Sequence, residues 1–116
     1  MKNKIACCLT FIIICSCTPS QDKPKVGINE LKFAVAYCLS KSYPDSACSE
    51  DSSYVSGAYL HKGHHGIDMY EKIRQFVESY RKEAYVSKHG RNLSIMQCID
   101  LYDSDNLMKL IHNNAD

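Results

Sequence analysis

The sequence predicts an all-α protein, a small bundle of four to five helices. Two observations lead to this fold class. After residue 28, apolar residues recur at spacings of three and four, which is the period of one buried helix face. No stretch alternates apolar and polar residues for long enough to indicate a strand. A chain of 116 residues, shortened by a leader, is the size of a single small domain.

The N-terminus has the pattern of a secretory signal peptide. Two lysines precede about ten apolar residues at 5–14. This run is shorter than the roughly 20 residues that a membrane-spanning helix needs. Residues 14–17 also resemble a bacterial lipobox, in which Cys17 would be lipidated after cleavage. The alternative is an ordinary cleavage nearby that releases a soluble protein. We therefore predict export, with residues 1–16 as the signal peptide.

Residues 17–28 contain two prolines, one glycine and several polar residues, which predicts a flexible tether. The folded domain is then 29–116. After cleavage, thirteen acidic and twelve basic residues remain, so the net charge is close to −1. Such a balance, without a basic stripe, gives no indication of a nucleic-acid partner.

The first predicted helix runs from Asn29, a good N-cap, to about Tyr43, and Pro44 ends it. Its inward residues are Leu31, Ala34, Val35, Cys38 and Leu39. The second begins at Ser46 or Ser49 and reaches about His61. Its predicted inward residues are Tyr54, Val55, Ala58 and Tyr59.

The third helix is predicted to be the longest, from Ile67 to about Val86. Its inward residues are Ile67, Tyr70, Ile73, Phe76, Val77, Tyr80 and Ala84. Residues 87–91 end it, with Gly90 suited to a left-handed conformation.

A fourth helix starts at Asn92 and carries Cys98 in an apolar stripe formed by residues 95, 98, 99, 101 and 102. Ser104 caps a last helix. The inward residues of that helix are Leu107, Leu110 and Ile111.

Three cysteines belong to the folded part: Cys38, Cys48 and Cys98. Cys38 and Cys98 lie on inward faces, and export implies an oxidising compartment, so we prefer a disulfide between them. Closing a loop of that length would stabilise the fold by about 4 kcal/mol. Two alternatives remain, namely a Cys38–Cys48 bridge across a short loop and two separate buried thiols.

Catalytic motifs are missing from the sequence. No nucleophile motif and no phosphate-binding glycine loop occurs, so an enzyme is not predicted. His61, His64 and His65 surround a glycine-containing break and offer an alternative hypothesis, a periplasmic metal-binding lipoprotein. An exposed polar turn explains the same histidines without a metal, and no cofactor is predicted.

Tyrosine is unusually frequent: the chain has eight tyrosines and no tryptophan. All eight fall on or beside predicted helices. Tyrosines at exposed edges supply a large contact area at a low cost in conformational entropy. The residues alone therefore indicate an exported helical binding module.

Residues 96–101, together with 36–39, 56–60 and 70–73, give the sequence a resemblance to a known family. It resembles the type VI secretion amidase immunity proteins of the fourth class over roughly residues 30–112. The resemblance implies an all-helical periplasmic protein, often a homodimer. Its partner would be a peptidoglycan amidase toxin whose active-site cleft it occupies. Cys38 and Cys98 match the cysteine positions of the family.

Blocking a cleft requires an exposed projection more than a flat helix face. The predicted connections at 62–67 and 87–92 are two such projections, one at each end of the longest helix. The 87–92 connection is preferred, because its charged residues extend further from apolar anchors. The predicted partner-binding residues are Lys88, His89, Gly90, Arg91, His64 and His65.

Overall fold

A computed structural model describes residues 27–114 of the chain. The predicted signal peptide, the predicted lipidation residue Cys17 and most of the predicted tether lie outside the described residues. The elements are α1 (Ile28–Ser42), α2 (Ala47–Lys62), α3 (Ile67–Tyr80), α4 (Ser94–Asp100), a short 3-10 turn (Leu101–Asp103) and α5 (Asp105–Asn113). The predicted all-α class is confirmed. Within residues 27–114, no helix combines the length and apolarity needed to cross a bilayer.

Helix α1 is the centre of the bundle and contacts all the other helices. It begins two residues earlier than predicted, since Gly27 is the N-cap, with a φ of 97° that favours glycine. Asn29, the predicted cap, lies inside the helix. Its side-chain Nδ2 donates to the carbonyl of Lys62 at 3.0 Å and so satisfies a carbonyl at the end of α2.

The predicted inward face of α2 is largely wrong, although Tyr59 packs against the core. Tyr54 is 76% exposed, whereas Ser52 and Ser56 are buried. Small serine side chains let the α2 backbone approach α1 closely, and their hydroxyls bond locally to backbone carbonyls. Ser56 Oγ donates to the carbonyl of Ser53 at 2.8 Å. The hydroxyl of Ser49 donates across to the carbonyl of Ser40 in α1 at 2.6 Å. The predicted cap at Ser46 is confirmed, because its side chain accepts from the amide of Ser49.

The core lies between α1, α3, α4 and α5. Phe33 and Tyr70 meet edge to face with ring centroids 4.9 Å apart, a favourable aromatic geometry. The other large, fully buried apolar residues around them are Leu31, Ile73, Val77, Leu101, Leu107 and Ile111. Ser104 caps α5 as predicted, accepting from the amide of Leu107 at 3.3 Å.

Helix α3 is shorter than predicted and ends at Tyr80 rather than Val86. The backbone of residues 85–93 turns back on itself instead, with a single antiparallel bridge between Val86 and Asn92. Two predicted core residues of this helix, Ile67 and Ala84, are exposed.

Helix α4 begins at Ser94, two residues later than predicted. Cys98 and Leu101 of the predicted stripe are buried, but Ile95 and Ile99 are 49% and 56% exposed. The stripe fails because α4 turns a neighbouring face inward, the one that carries Gln97, Cys98 and Leu101, and Ile95 and Ile99 are left on the outer side.

Cys38 and Cys98 form a disulfide with a Cα–Cα distance of 5.5 Å, and both are fully buried. This confirms the preferred pairing and rejects the Cys38–Cys48 bridge. Cys48 is exposed and free at the start of α2. The disulfide ties α4 to the middle of α1.

Candidate functional site

Residues 87–92 form a closed turn between α3 and α4, which we call the tip. The amide of Ser87 donates to the carbonyl of Arg91, and the amide of Gly90 donates to the carbonyl of Ser87, both at 2.9 Å. Gly90 has a φ of 75°, so the predicted left-handed position is confirmed. Ser87 Oγ accepts from the amides of His89 at 3.3 Å and Arg91 at 3.1 Å. These bonds give the tip a defined shape.

The base of the tip is tied to the bundle. The amide of Leu93 donates to the carbonyl of Tyr85 at 2.9 Å, next to the bridge between Val86 and Asn92. The hydroxyls of Tyr80 and Tyr85 are 2.9 Å apart and hydrogen-bonded. Tyr85 thereby connects residues 85–93, the short two-stranded ribbon that carries the tip, to the last residue of α3.

Tyr80 remains a neutral phenol under physiological conditions. Desolvation by burial and the hydrogen bond with Tyr85 both raise the pKa of the Tyr80 hydroxyl well above its ordinary value. The Tyr80 hydroxyl therefore keeps its proton in the neutral range.

The tip presents polar and cationic groups to solvent. Four of the predicted partner-binding residues lie here, and all four are exposed: Lys88, His89, Gly90 and Arg91. The structure thus brings them together on one projection, at the end of α3 opposite the second predicted projection.

The second projection, residues 62–66, is held against α1 and α3. His65 Nδ1 lies 2.9 Å from Glu30 Oε1, and the Tyr70 hydroxyl donates to the same oxygen at 3.1 Å. The side chains of His65 and Glu30 are 10% and 3% exposed. His65 thus faces the bundle, whereas His64 is exposed. Of the two predicted contact residues here, only His64 presents its side chain outward.

Glu30 is a buried carboxylate that remains charged. Burial by itself raises its pKa, but hydrogen bonds from His65, from the Glu30 backbone and from Tyr70, with the charge of His65, outweigh that effect. The pKa of Glu30 therefore lies below its ordinary value of 4.5. This cluster fixes the connection between α2 and α3 to the first turn of α1.

The structure does not assemble the predicted metal ligands. Among residues 27–114, no three His, Cys, Asp or Glu side chains form a group that could hold a metal ion. His65 is paired with Glu30, while His61 and His64 lie exposed on the end of α2 and the following loop. The hypothesis based on His61, His64 and His65 therefore gains no support.

An apolar surface on α4 was missed by the sequence analysis. Ile95, Met96 and Ile99 are each about half exposed, and Ile99 also lines an open groove of about 380 Å³ between α1, α2 and the 3-10 turn. The available signal was the number of apolar residues in this short stretch, because one face of a short helix cannot bury all of them.

Comparison with known proteins assigns the fold to a family. Residues 30–111 match the family model for the type VI secretion system (T6SS) amidase immunity protein, Tai4. The match covers most of the chain, and the chain belongs to this family. It is thus an immunity protein for an amidase effector.

A solved structure with a similar fold comes from the effector–immunity system Tae4/Tai4 of Salmonella typhimurium, as a selenomethionine variant. The identity is 25% and the TM-score 0.67, over 77% of this chain and 90% of the other. No curated protein matches the chain.

Proposed function

We propose that this protein binds a cognate peptidoglycan amidase effector in the periplasm and inhibits it by occluding its active-site cleft. The tip at residues 87–92 would enter the cleft. The observation that carries the proposal is the closed hydrogen-bonded turn at Ser87–Arg91, which projects exposed polar groups from a rigid base.

A projection of this kind suits cleft binding for an energetic reason. A loop that is already ordered loses little conformational entropy when it binds, so more of its contact energy appears as affinity. Lys88, His89 and Arg91 supply hydrogen-bond donors at the tip. Val86, which is 59% exposed at the base, supplies an apolar contact at the rim.

The periplasmic site is supported by the buried disulfide. Disulfides persist in oxidising compartments such as the bacterial periplasm and are rare in the cytosol. The Cys38–Cys98 bond in the core is therefore consistent with export, which the signal-peptide pattern of residues 1–16 predicts.

A lipid anchor at Cys17 and a homodimer belong to the same proposal. Cys17→Ala should abolish membrane association without altering the folded domain, as measured by membrane fractionation. The half-exposed apolar side chains of α4 support self-association, because contiguous apolar surface of this kind is typical of protein interfaces. Sedimentation analysis of the purified protein measures its mass directly.

The test of the proposal is the double variant Lys88→Ala/Arg91→Ala. Both side chains are exposed, so the melting temperature should stay close to wild type. Inhibition of the cognate amidase should weaken at least tenfold, a loss of about 1.4 kcal/mol in binding free energy. The inhibition constant is measured by titrating the effector with each variant.

The matched control is Lys82→Ala/Lys109→Ala, which removes the same charge from exposed positions outside the tip. It should inhibit like wild type. If the tip variant inhibits normally, and a His64→Ala variant in the second projection does too, the interface lies on the helix faces and cleft occlusion by the tip is wrong.

A further inference from the structure

Gln97 is a buried polar side chain beneath the tip. It stands on α4 beside Cys98 and is 4% exposed. Its Nε2 donates to the carbonyl of Glu83 at 2.8 Å and to the carbonyl of Tyr80 at 3.2 Å. These acceptors lie 14 and 17 residues earlier in the chain. One amide group therefore joins the segment that enters the tip to the helix that follows it.

One acceptor is the last residue of α3 and the other lies three residues beyond it. The last carbonyls of a helix have no partner within that helix, and leaving them unpaired in a buried position is costly. Tyr80 is the last residue of α3, and Glu83 lies in the turn just after it. A primary amide has two N–H hydrogens, which is the number needed for these two carbonyls.

Helix α4, which carries Gln97, is itself fixed by the disulfide. Cys98 follows Gln97 directly and is bonded to Cys38 in α1, so α4 is held against the centre of the bundle. Gln97 therefore binds the chain where it leaves α3, at Tyr80 and Glu83, and Gln97 itself lies on α4, where the chain returns after the tip. Between them, the ribbon below the tip has one bridge and the bond from Leu93 to Tyr85. A two-stranded ribbon of that size is marginal by itself.

We infer that Gln97 is a positioning residue for effector recognition, which sets the direction in which the tip projects. This inference rests on the proposed function. Apparent affinity falls in proportion to the fraction of molecules whose binding segment has the competent conformation. Releasing the carbonyls of Tyr80 and Glu83 lowers that fraction, although Gln97 itself touches no effector atom.

The first experiment uses Gln97→Met, which keeps the side-chain length and removes the donor. In the full chain, the amides of Leu93 and Arg91 should exchange with solvent at least tenfold faster than in wild type. Amides in the middle of α1 should be unchanged. Inhibition of the effector should weaken about tenfold, mainly through slower association. Gln97→Asn, which is one methylene shorter, serves the same purpose if the methionine variant does not fold.

A double-mutant cycle separates positioning from general destabilisation. Gln97→Met is combined with Lys88→Ala/Arg91→Ala. If Gln97 acts by orienting the tip, adding Gln97→Met to that background weakens inhibition less than twofold, because the side chains it positions are already gone. A full tenfold further loss would show a purely structural role and overturn the inference.

The matched control is Ser56→Ala, which also removes a buried hydrogen bond from a side chain to a backbone carbonyl, in a helix that does not lead into the tip. It should leave exchange in the tip and inhibition unchanged. Unchanged inhibition and exchange in Gln97→Met would also overturn the inference. If exchange rises in Gln97→Met but the Lys88→Ala/Arg91→Ala variant inhibits normally, Gln97 does order the tip and the proposed function is wrong.

Discussion

Glu30 is a buried residue whose charge is stabilised by its neighbours. The residue is 2% exposed, and one oxygen of its carboxylate is shared between His65 and Tyr70. A carboxylate is buried at low cost only when such partners replace its hydration. Because these contacts lower the pKa of Glu30 in the folded protein, Glu30 stabilises the fold above its ordinary pKa and loses that contribution as pH falls.

Glu30→Gln should therefore destabilise the protein near pH 7, by about 1.5–3 kcal/mol for hydrogen bonds to a charged group. The difference in unfolding free energy between wild type and variant should shrink as pH falls below 4.5, the ordinary pKa of Glu30. Urea unfolding of both proteins at a series of acidic pH values measures this difference in free energy. A difference that stays constant with pH would contradict the depressed pKa.

Gly63 is a second residue with a specific environment. A Cβ at this position would collide with the Tyr70 hydroxyl and lie 2.7 Å from Glu30 Oε1. Gly63→Ala must displace one of these groups, and overpacking of this kind costs about 1–3 kcal/mol. The expected result is a lower urea midpoint.

Gly57→Ala is the matched control for Gly63, since a Cβ there meets nothing within 4 Å. Inside α2, alanine should be neutral or stabilise the helix by up to about 1 kcal/mol. Equal stability losses in the two variants would mean that the close packing at Gly63 is incorrect.

At the level of elements, the sequence predicted most helices and their caps but not every inward face. Ser46 and Ser104 were recognisable because a serine before an apolar period is a strong N-cap signal. The inward face of α2 was not recognisable, because a prediction based on apolar residues places Tyr54 in the core and Ser52 and Ser56 outside it. The structure buries the serines because their small volume permits close approach to α1, a tertiary effect that hydrophobic period does not contain.

The end of α3 was mispredicted for a related reason. The helical spacing of apolar residues continues beyond Tyr80. In the structure, however, the chain beyond this residue forms the ribbon at residues 85–93 and the hydrogen bonds from Gln97 instead of further helix. Gln97 donates two of these bonds, and a glutamine between apolar neighbours gives no signal of its distant acceptors. The predicted tip residues are exposed, and their contact with a partner stays a prediction.

The disulfide is the strongest link between elements. Cys38→Ser or Cys98→Ser should cost about 2–5 kcal/mol of unfolding free energy, the usual range for a small exported domain. Cys48→Ser should change stability by less than about 0.5 kcal/mol, because Cys48 is exposed and free. Urea unfolding of the three oxidised variants makes the comparison. A loss at Cys48 equal to that at Cys38 would contradict the assignment.

At the level of the whole molecule, the fold separates a packed core from the tip that we propose binds the effector. The core of α1, α3, α4 and α5, closed by the Cys38–Cys98 bond, holds the tip at one end of α3 and the Glu30 cluster at the other. Such a division suits an inhibitor, because function in many proteins lies on loops that a rigid scaffold positions.

Site-specific photo-cross-linking tests directly whether the tip enters the active-site cleft of the amidase. A photoreactive amino acid is placed at His89 in the tip, with a second at Tyr54 on α2 as the matched control, because both positions are exposed. After irradiation with the cognate amidase, mass spectrometry identifies the linked peptides. We expect the probe at His89 to link to residues lining the catalytic cleft of the amidase, and substrate-competitive cleft ligands to suppress the link. Cross-links from His89 to surfaces remote from the cleft, or efficient links from Tyr54 with none from His89, would contradict it.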